Sequence, residues 1–135
     1  MAYKITDIEG IGPAFGAKLE AAGVRNTDQL LEAAGAAKGR KDLAARAEIS
    51  ETLILKWVNH ADLMRISGIG PQFAELLEAA GVDTVKELRH RNAANLAAKM
   101  SEINEQKNLT NGSVSESQAA GWIEQAKTLD PKVSH

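Results

Sequence analysis

Ile8-Glu9-Gly10-Ile11-Gly12-Pro13 returns 58 residues later as Ile66-Ser67-Gly68-Ile69-Gly70-Pro71. The stretch Leu19-Glu20-Ala21-Ala22-Gly23-Val24 returns at the same spacing as Leu77-Glu78-Ala79-Ala80-Gly81-Val82. Self-similarity at one fixed offset marks a duplicated structural unit, so the architecture follows from what a single copy does.

In each copy an apolar residue runs into Gly-Ile-Gly-Pro. Two glycines let the backbone turn sharply and approach closely. The proline suits the first position of a helix, where its fixed φ is already helical and its missing N–H has no intrahelical role. Phe15, Leu19 and Ala22 then recur at helical spacing, as do Phe73, Leu77 and Ala80, until Gly23 or Gly81 ends the run. Each copy therefore reads as helix, tight hairpin, helix.

These residues resemble the helix-hairpin-helix superfamily, whose motif is hydrophobic-Gly-hydrophobic-Gly, then alanine four residues on and leucine three beyond. Ala74 and Leu77 match it; in the first copy Leu19 matches and Gly16 stands in for the alanine. The resemblance implies that hairpin amides and the following helix N-terminus hold a backbone phosphate of nucleic acid. Unpaired N–H groups at the positive end of a helix dipole favour an anion. The whole pattern, including a tryptophan-bearing closing helix, is also similar to an uncharacterised, largely bacterial family of standalone tandem helix-hairpin-helix proteins, a domain of unknown function.

The chain has 135 residues, 44% hydrophobic and 25% charged, rich in alanine and leucine, which is the composition of a helical globular protein with a real core. There is no cysteine, so disulfides and thiolate metal sites are excluded. No signal-like or bilayer-length apolar run is present, and a cytoplasmic location without membrane contact is expected. Residues 1–61 carry eight Lys/Arg and eight Asp/Glu; residues 62–135 carry eight and ten. A dedicated nucleic-acid binder is usually strongly basic, and this chain is not.

Tyr3, Ile5 and Ile8 form a short lead-in before the first hairpin. Asn26 caps the helix of Leu30 and Leu31, with Gln29 at the capping-box position. Gly35 ends that helix, Lys38-Gly39-Arg40-Lys41 reads as a basic loop, and Leu43–Ala47 begins the next helix. Glu48-Ile49-Ser50 looks like a second, degenerate hairpin, with Glu48 where glycine would be expected. Ile54, Trp57, Val58 and Ala61 then make one apolar stripe. In the second copy Asp62–Ile66 leads in, Thr84 and Asn92 cap the next two helices, and Ser115 caps the last. Ala119, Trp122, Ile123 and Ala126 match the earlier stripe at an offset of 65. The growth of the offset places an insertion around residues 105–115, whose turn composition predicts a mobile surface loop.

The expected fold is all-α: two tandem five-helix units, residues 1–61 and 62–135. The candidate phosphate-binding groups are the amides of Gly10, Ile11, Gly12, Gly68, Ile69 and Gly70. A basic patch of Lys18, Lys38, Arg40, Lys41, Arg89 and Arg91 could add salt-sensitive backbone contacts. Against binding, Glu9 sits beside the first hairpin, and Ala14 and Gln72 occupy positions where nucleic-acid-binding relatives carry Lys or Arg. Trp57, Trp122, Phe15 and Phe73 read as core. His60, His90 and His135 are scattered and no catalytic motif is present, so no enzyme, metal or cofactor is expected. The expectation is a non-catalytic binding protein that contacts DNA or RNA backbone weakly, as a monomer or homodimer. The rival is a protein–protein adaptor on the same scaffold.

Overall fold

Residues 2–135 are described in a computed structural model. A single 3-10 turn, Ile5–Asp7, precedes α1 (Pro13–Ala21), α2 (Thr27–Ala34), α3 (Ala37–Ala47) and α4 (Glu51–Leu63). Then come α5 (Pro71–Ala79), α6 (Val85–Leu88), α7 (Ala93–Lys107) and α8 (Glu116–Thr128). Among the described residues the protein is all-helical, with one isolated β-bridge between Lys4 and Asn26.

The start signals in the sequence do what their chemistry requires. Proline opens α1 and α5. Side-chain oxygens of Asn26, Ser50, Thr84, Asn92 and Ser115 each accept the backbone N–H three residues on. Gln29 reaches back one residue further than a capping box requires and accepts the Arg25 amide at 2.8 Å. Glu48 and Asn108 close α3 and α7 in the left-handed conformation, with φ of 57° and 50°. The glycine expected at position 48 is thus replaced by a strained residue at an equivalent helix end.

Helix α2 packs on α3 and α4, α7 packs on α8, and α4 meets α5 across the middle. Trp57, Leu30, Leu43, Ile54, Leu76, Leu77, Val85 and Met100 are all buried, and the buried residues of both halves form one continuous hydrophobic cluster. Leu63, Met64 and Ile66 are the buried bridge between halves. Each such side chain contributes about 1.5–3 kcal/mol by leaving water.

Three expectations need correction. Asp62–Ile66 is not a separate lead-in, because α4 runs through Leu63 and turns directly into the second hairpin; the second half has four helices after it. Lys38–Lys41 is not a loop but lies within α3, since Gly39 packs against the Ala33 carbonyl, where a side chain could not fit. In the 105–115 stretch, residues 105–107 are the last turn of α7, and the rest folds back on itself. There the Asn104 side chain pairs with both the N–H and C=O of Thr110, Val114 is buried, and Gly112 lies against Phe73.

Candidate functional site

Both hairpins are built alike. Gly10 and Gly68 have φ of +91° and +95°, which a side-chain-bearing residue adopts only under strain. That geometry lets Ile11 N–H donate to the Ile8 carbonyl and Ile69 N–H to the Ile66 carbonyl, both at 3.1 Å. The isoleucine side chains are driven inward, 5% and 0% exposed. Beneath each turn lies the tryptophan of its own half. The Trp57 indole nitrogen would be 3.6 Å from a Cβ on Gly10, and that of Trp122 only 3.1 Å from one on Gly68. Phe15 meets Trp57 and Phe73 meets Trp122 at ring-centroid distances of 5.1 and 5.4 Å.

This removes Ile11 and Ile69 from the candidate amide set, since their N–H groups close the turn. What remains at the first hairpin is Gly10 and Gly12, joined by Ala14 and Phe15 at the start of α1. Among the described residues these four N–H groups have no acceptor. Gly10, Gly12 and Ala14 are exposed. The motif points at the glycines; the Ala14 and Phe15 amides follow from the rule that the first helical N–H groups lack partners.

The second hairpin differs. A cavity of about 490 Å³ in front of it is lined by Asp7 and Glu9 together with Gly68, Gly70, Pro71, Gln72, Phe73 and Thr110. Gln72 accepts the Thr110 hydroxyl at 3.1 Å. Two carboxylates and a tethered loop therefore stand where an anion would approach Gly68 and Gly70. Nothing in a linear motif reveals this, because Asp7 and Glu9 come from the other half of the chain.

The basic patch does not assemble either. Arg40 is 6% exposed and donates to the carbonyls of Ala34, Gly35 and Ser134. Arg89 donates to the Leu129 carbonyl, and Arg91 to Glu87 and the Gly81 carbonyl. Lys18 contacts the Glu48 carbonyl at 3.4 Å. Guanidinium forks fit several carbonyls at once, so arginine near helix ends is readily drawn into internal contacts. Lys38 and Lys41 remain exposed on α3.

The histidines are not brought together as a catalytic group. His60 is fully buried, its Nε2 3.1 Å from Glu78 Oε2, off the direction of a well-formed hydrogen bond. Burial alone would raise the Glu78 carboxyl, but the adjacent His60 ring, with Lys56 at 3.8 Å, outweighs it and holds the carboxyl below its usual range. The pair ties α4 to α5. Among the described residues there is no cluster of His, Asp and Glu able to hold a metal ion, and no helix is long and apolar enough to cross a membrane.

An all-helical chain with a repeated glycine hairpin is the class these features define. It belongs to the family described as a domain of unknown function, DUF4332, which matches residues 9–129. No curated protein and no solved structure matches the chain.

Proposed function

We propose that the chain is a tandem helix-hairpin-helix scaffold without catalytic activity, which binds the sugar-phosphate backbone of DNA or RNA weakly, through its first hairpin. The observation that supports this is the asymmetry between the two turns. Among the described residues both turns leave the matching N–H groups without acceptors, Gly10, Gly12, Ala14 and Phe15 in the first and Gly68, Gly70, Gln72 and Phe73 in the second, but only the second has Asp7 and Glu9 lining the cavity in front of it. A phosphate at Gly10, Gly12 and Ala14 would meet the positive end of the α1 dipole. Lys18, one turn along α1, and exposed Lys38 and Lys41 are the candidate cations. With so few of them, affinity should be low and sequence-independent.

The test is a titration of labelled duplex and single-stranded DNA and RNA at low and moderate salt. Ala14→Glu is the informative variant: a carboxylate in the first turn favours the helix yet repels phosphate. Binding that weakens with salt and disappears in Ala14→Glu supports the reading.

A second reading, a protein–protein adaptor on the same scaffold, is favoured by one observation. Arg40, Arg89 and Arg91 are held by carbonyls and carboxylates of the protein itself. No binding to nucleic acid at low salt, with Ala14→Glu indistinguishable from the parent, selects the adaptor.

A further inference from the structure

The stretch between α7 and α8, residues 108–115, is tied down at two points and open between them. Asn104 accepts the Thr110 N–H at 3.1 Å and donates to the Thr110 carbonyl at 3.0 Å. The Thr110 hydroxyl donates to Gln72 at the head of α5, and Val114 is buried. Asn111, Gly112 and Ser113 lie exposed between these anchors. Among the described residues one hydrogen bond holds them, from Gly112 N–H to Thr110 Oγ1 at 3.1 Å. A Cβ at position 112 would press on Phe73 Cζ at 3.1 Å, so the seat on α5 favours glycine there. The packing thus sets a glycine directly after an exposed asparagine.

That pair has a chemistry of its own. An asparagine side-chain amide is open to attack by the backbone nitrogen of the next residue. The attack needs a following residue without a side chain in the way and an N–H not locked into a helix. Of the seven asparagines, Asn111 alone precedes a glycine. Asn26 and Asn92 are engaged as helix caps, and Asn104 is committed to Thr110. Asn59 and Asn95 lie within α4 and α7, and Asn108 precedes the branched Leu109.

We propose that Asn111 is a site of spontaneous deamidation whose product resets how this stretch sits on the second hairpin. The Gly112 nitrogen loses its proton to solvent and attacks Asn111 Cγ. The Cγ–Nδ2 bond breaks, Nδ2 takes up a proton and leaves as ammonia, and a succinimide remains. One water then opens the ring, at Cγ to give aspartate or at the main-chain carbonyl carbon to give isoaspartate. Either product puts a carboxylate where a neutral amide stood, between two residues that touch the head of α5. The isoaspartyl form also routes the backbone through Cβ and Cγ, which adds one atom and about 1.5 Å of chain. With Thr110 fixed by Asn104 and Val114 fixed by the core, that extra length falls on Gly112 and its contact with Phe73. Thr110 Oγ1 controls the rate, because the hydrogen bond that it accepts keeps the proton on the Gly112 nitrogen.

The experiment ages the full folded chain in mildly alkaline buffer. Peptide mass spectrometry locates each amide-to-acid conversion, and enzymatic methylation specific for isoaspartate separates the two products. Asn111 is expected to convert before any other asparagine, with isoaspartate among the products, while Asn111→Gln stays unconverted at that position. Thr110→Val, which keeps the shape but deletes the acceptor, should convert faster than the parent; Thr110→Ser, which keeps the hydroxyl, should match it. In the isoaspartyl protein the NMR amide signals of Gln72 and Phe73 should move, and in Asn111→Gln they should not. Conversion spread evenly over the asparagines or centred elsewhere overturns the proposal. So does a Thr110→Val protein that converts no faster than Thr110→Ser, or an isoaspartyl product whose Gln72 and Phe73 signals stay where the parent has them.

Discussion

Phe15 and Trp57 meet edge to face, centroids 5.1 Å apart and planes inclined by 61°, directly beneath the first glycine turn. Phe73 and Trp122 repeat the arrangement at 5.4 Å and 57°. The tryptophan of each closing helix is therefore the floor on which its hairpin rests. Trp57→Ala and Trp122→Ala should each cost about 3–5 kcal/mol, the usual loss for a buried large aromatic. Because the cores are continuous, either change should shift a single cooperative transition, measured by urea denaturation with fluorescence and circular dichroism in parallel. Two separate transitions would mean that the halves are energetically independent.

The glycines of one hairpin should not be equivalent. Gly68 combines a φ of +95° with the Trp122 indole nitrogen 3.1 Å from an added Cβ, so Gly68→Ala should cost about 1–3 kcal/mol. Gly70, with φ −95° and nothing within 4 Å, should accept alanine with a change of less than about 0.5 kcal/mol. Thermal melts of the two variants side by side check this.

Arg40 and Lys38 look alike in the sequence, yet they should behave differently. Arg40→Glu places a carboxylate against the Ala34, Gly35 and Ser134 carbonyls in a buried site, and should destabilise the fold by about 3 kcal/mol or more. Lys38→Glu, exposed on the same helix, should leave stability within about 0.5 kcal/mol. Denaturant midpoints distinguish them, and only the lysine variant is a fair probe of binding.

Glu78 gives the fold an acid-sensitive joint. Its carboxyl is held below the ordinary value of 4.5, so the unfolded chain takes up its proton first as pH falls. Stability from this group is fully present above the unfolded value and is lost as pH falls through the folded one. Urea unfolding from pH 7 downward should show a loss below about pH 4.5 that is smaller in Glu78→Gln. An identical acid profile in the two proteins would contradict the pairing with His60.

Much of this was legible in the residues. The repeat, the proline starts and the caps Asn26, Ser50, Thr84, Asn92 and Ser115 are local signals, and local chemistry fixes them. Placing the tryptophans in the core followed from their apolar stripes. The site was less legible because its contents are settled by contacts between distant positions. Asp7 and Glu9 face a hairpin some 60 residues away, and Arg40 meets Ser134 across 94. A run of basic residues says nothing about which carbonyls will take up its guanidinium groups. For Ile11 and Ile69 the reason is local: the positive-φ glycine that exposes one amide turns the next one back onto the chain, which a linear motif does not show.

The most direct measurement is amide chemical-shift mapping by NMR, with inorganic phosphate and then a short single-stranded oligonucleotide titrated into the isotope-labelled protein. The amides of Gly10, Gly12, Ala14 and Phe15 are expected to move together and saturably, while those of Gly68 and Gly70 stay still. Shifts centred on the second hairpin, or none at the first with either ligand, would contradict the assignment of an open anion seat to the head of α1.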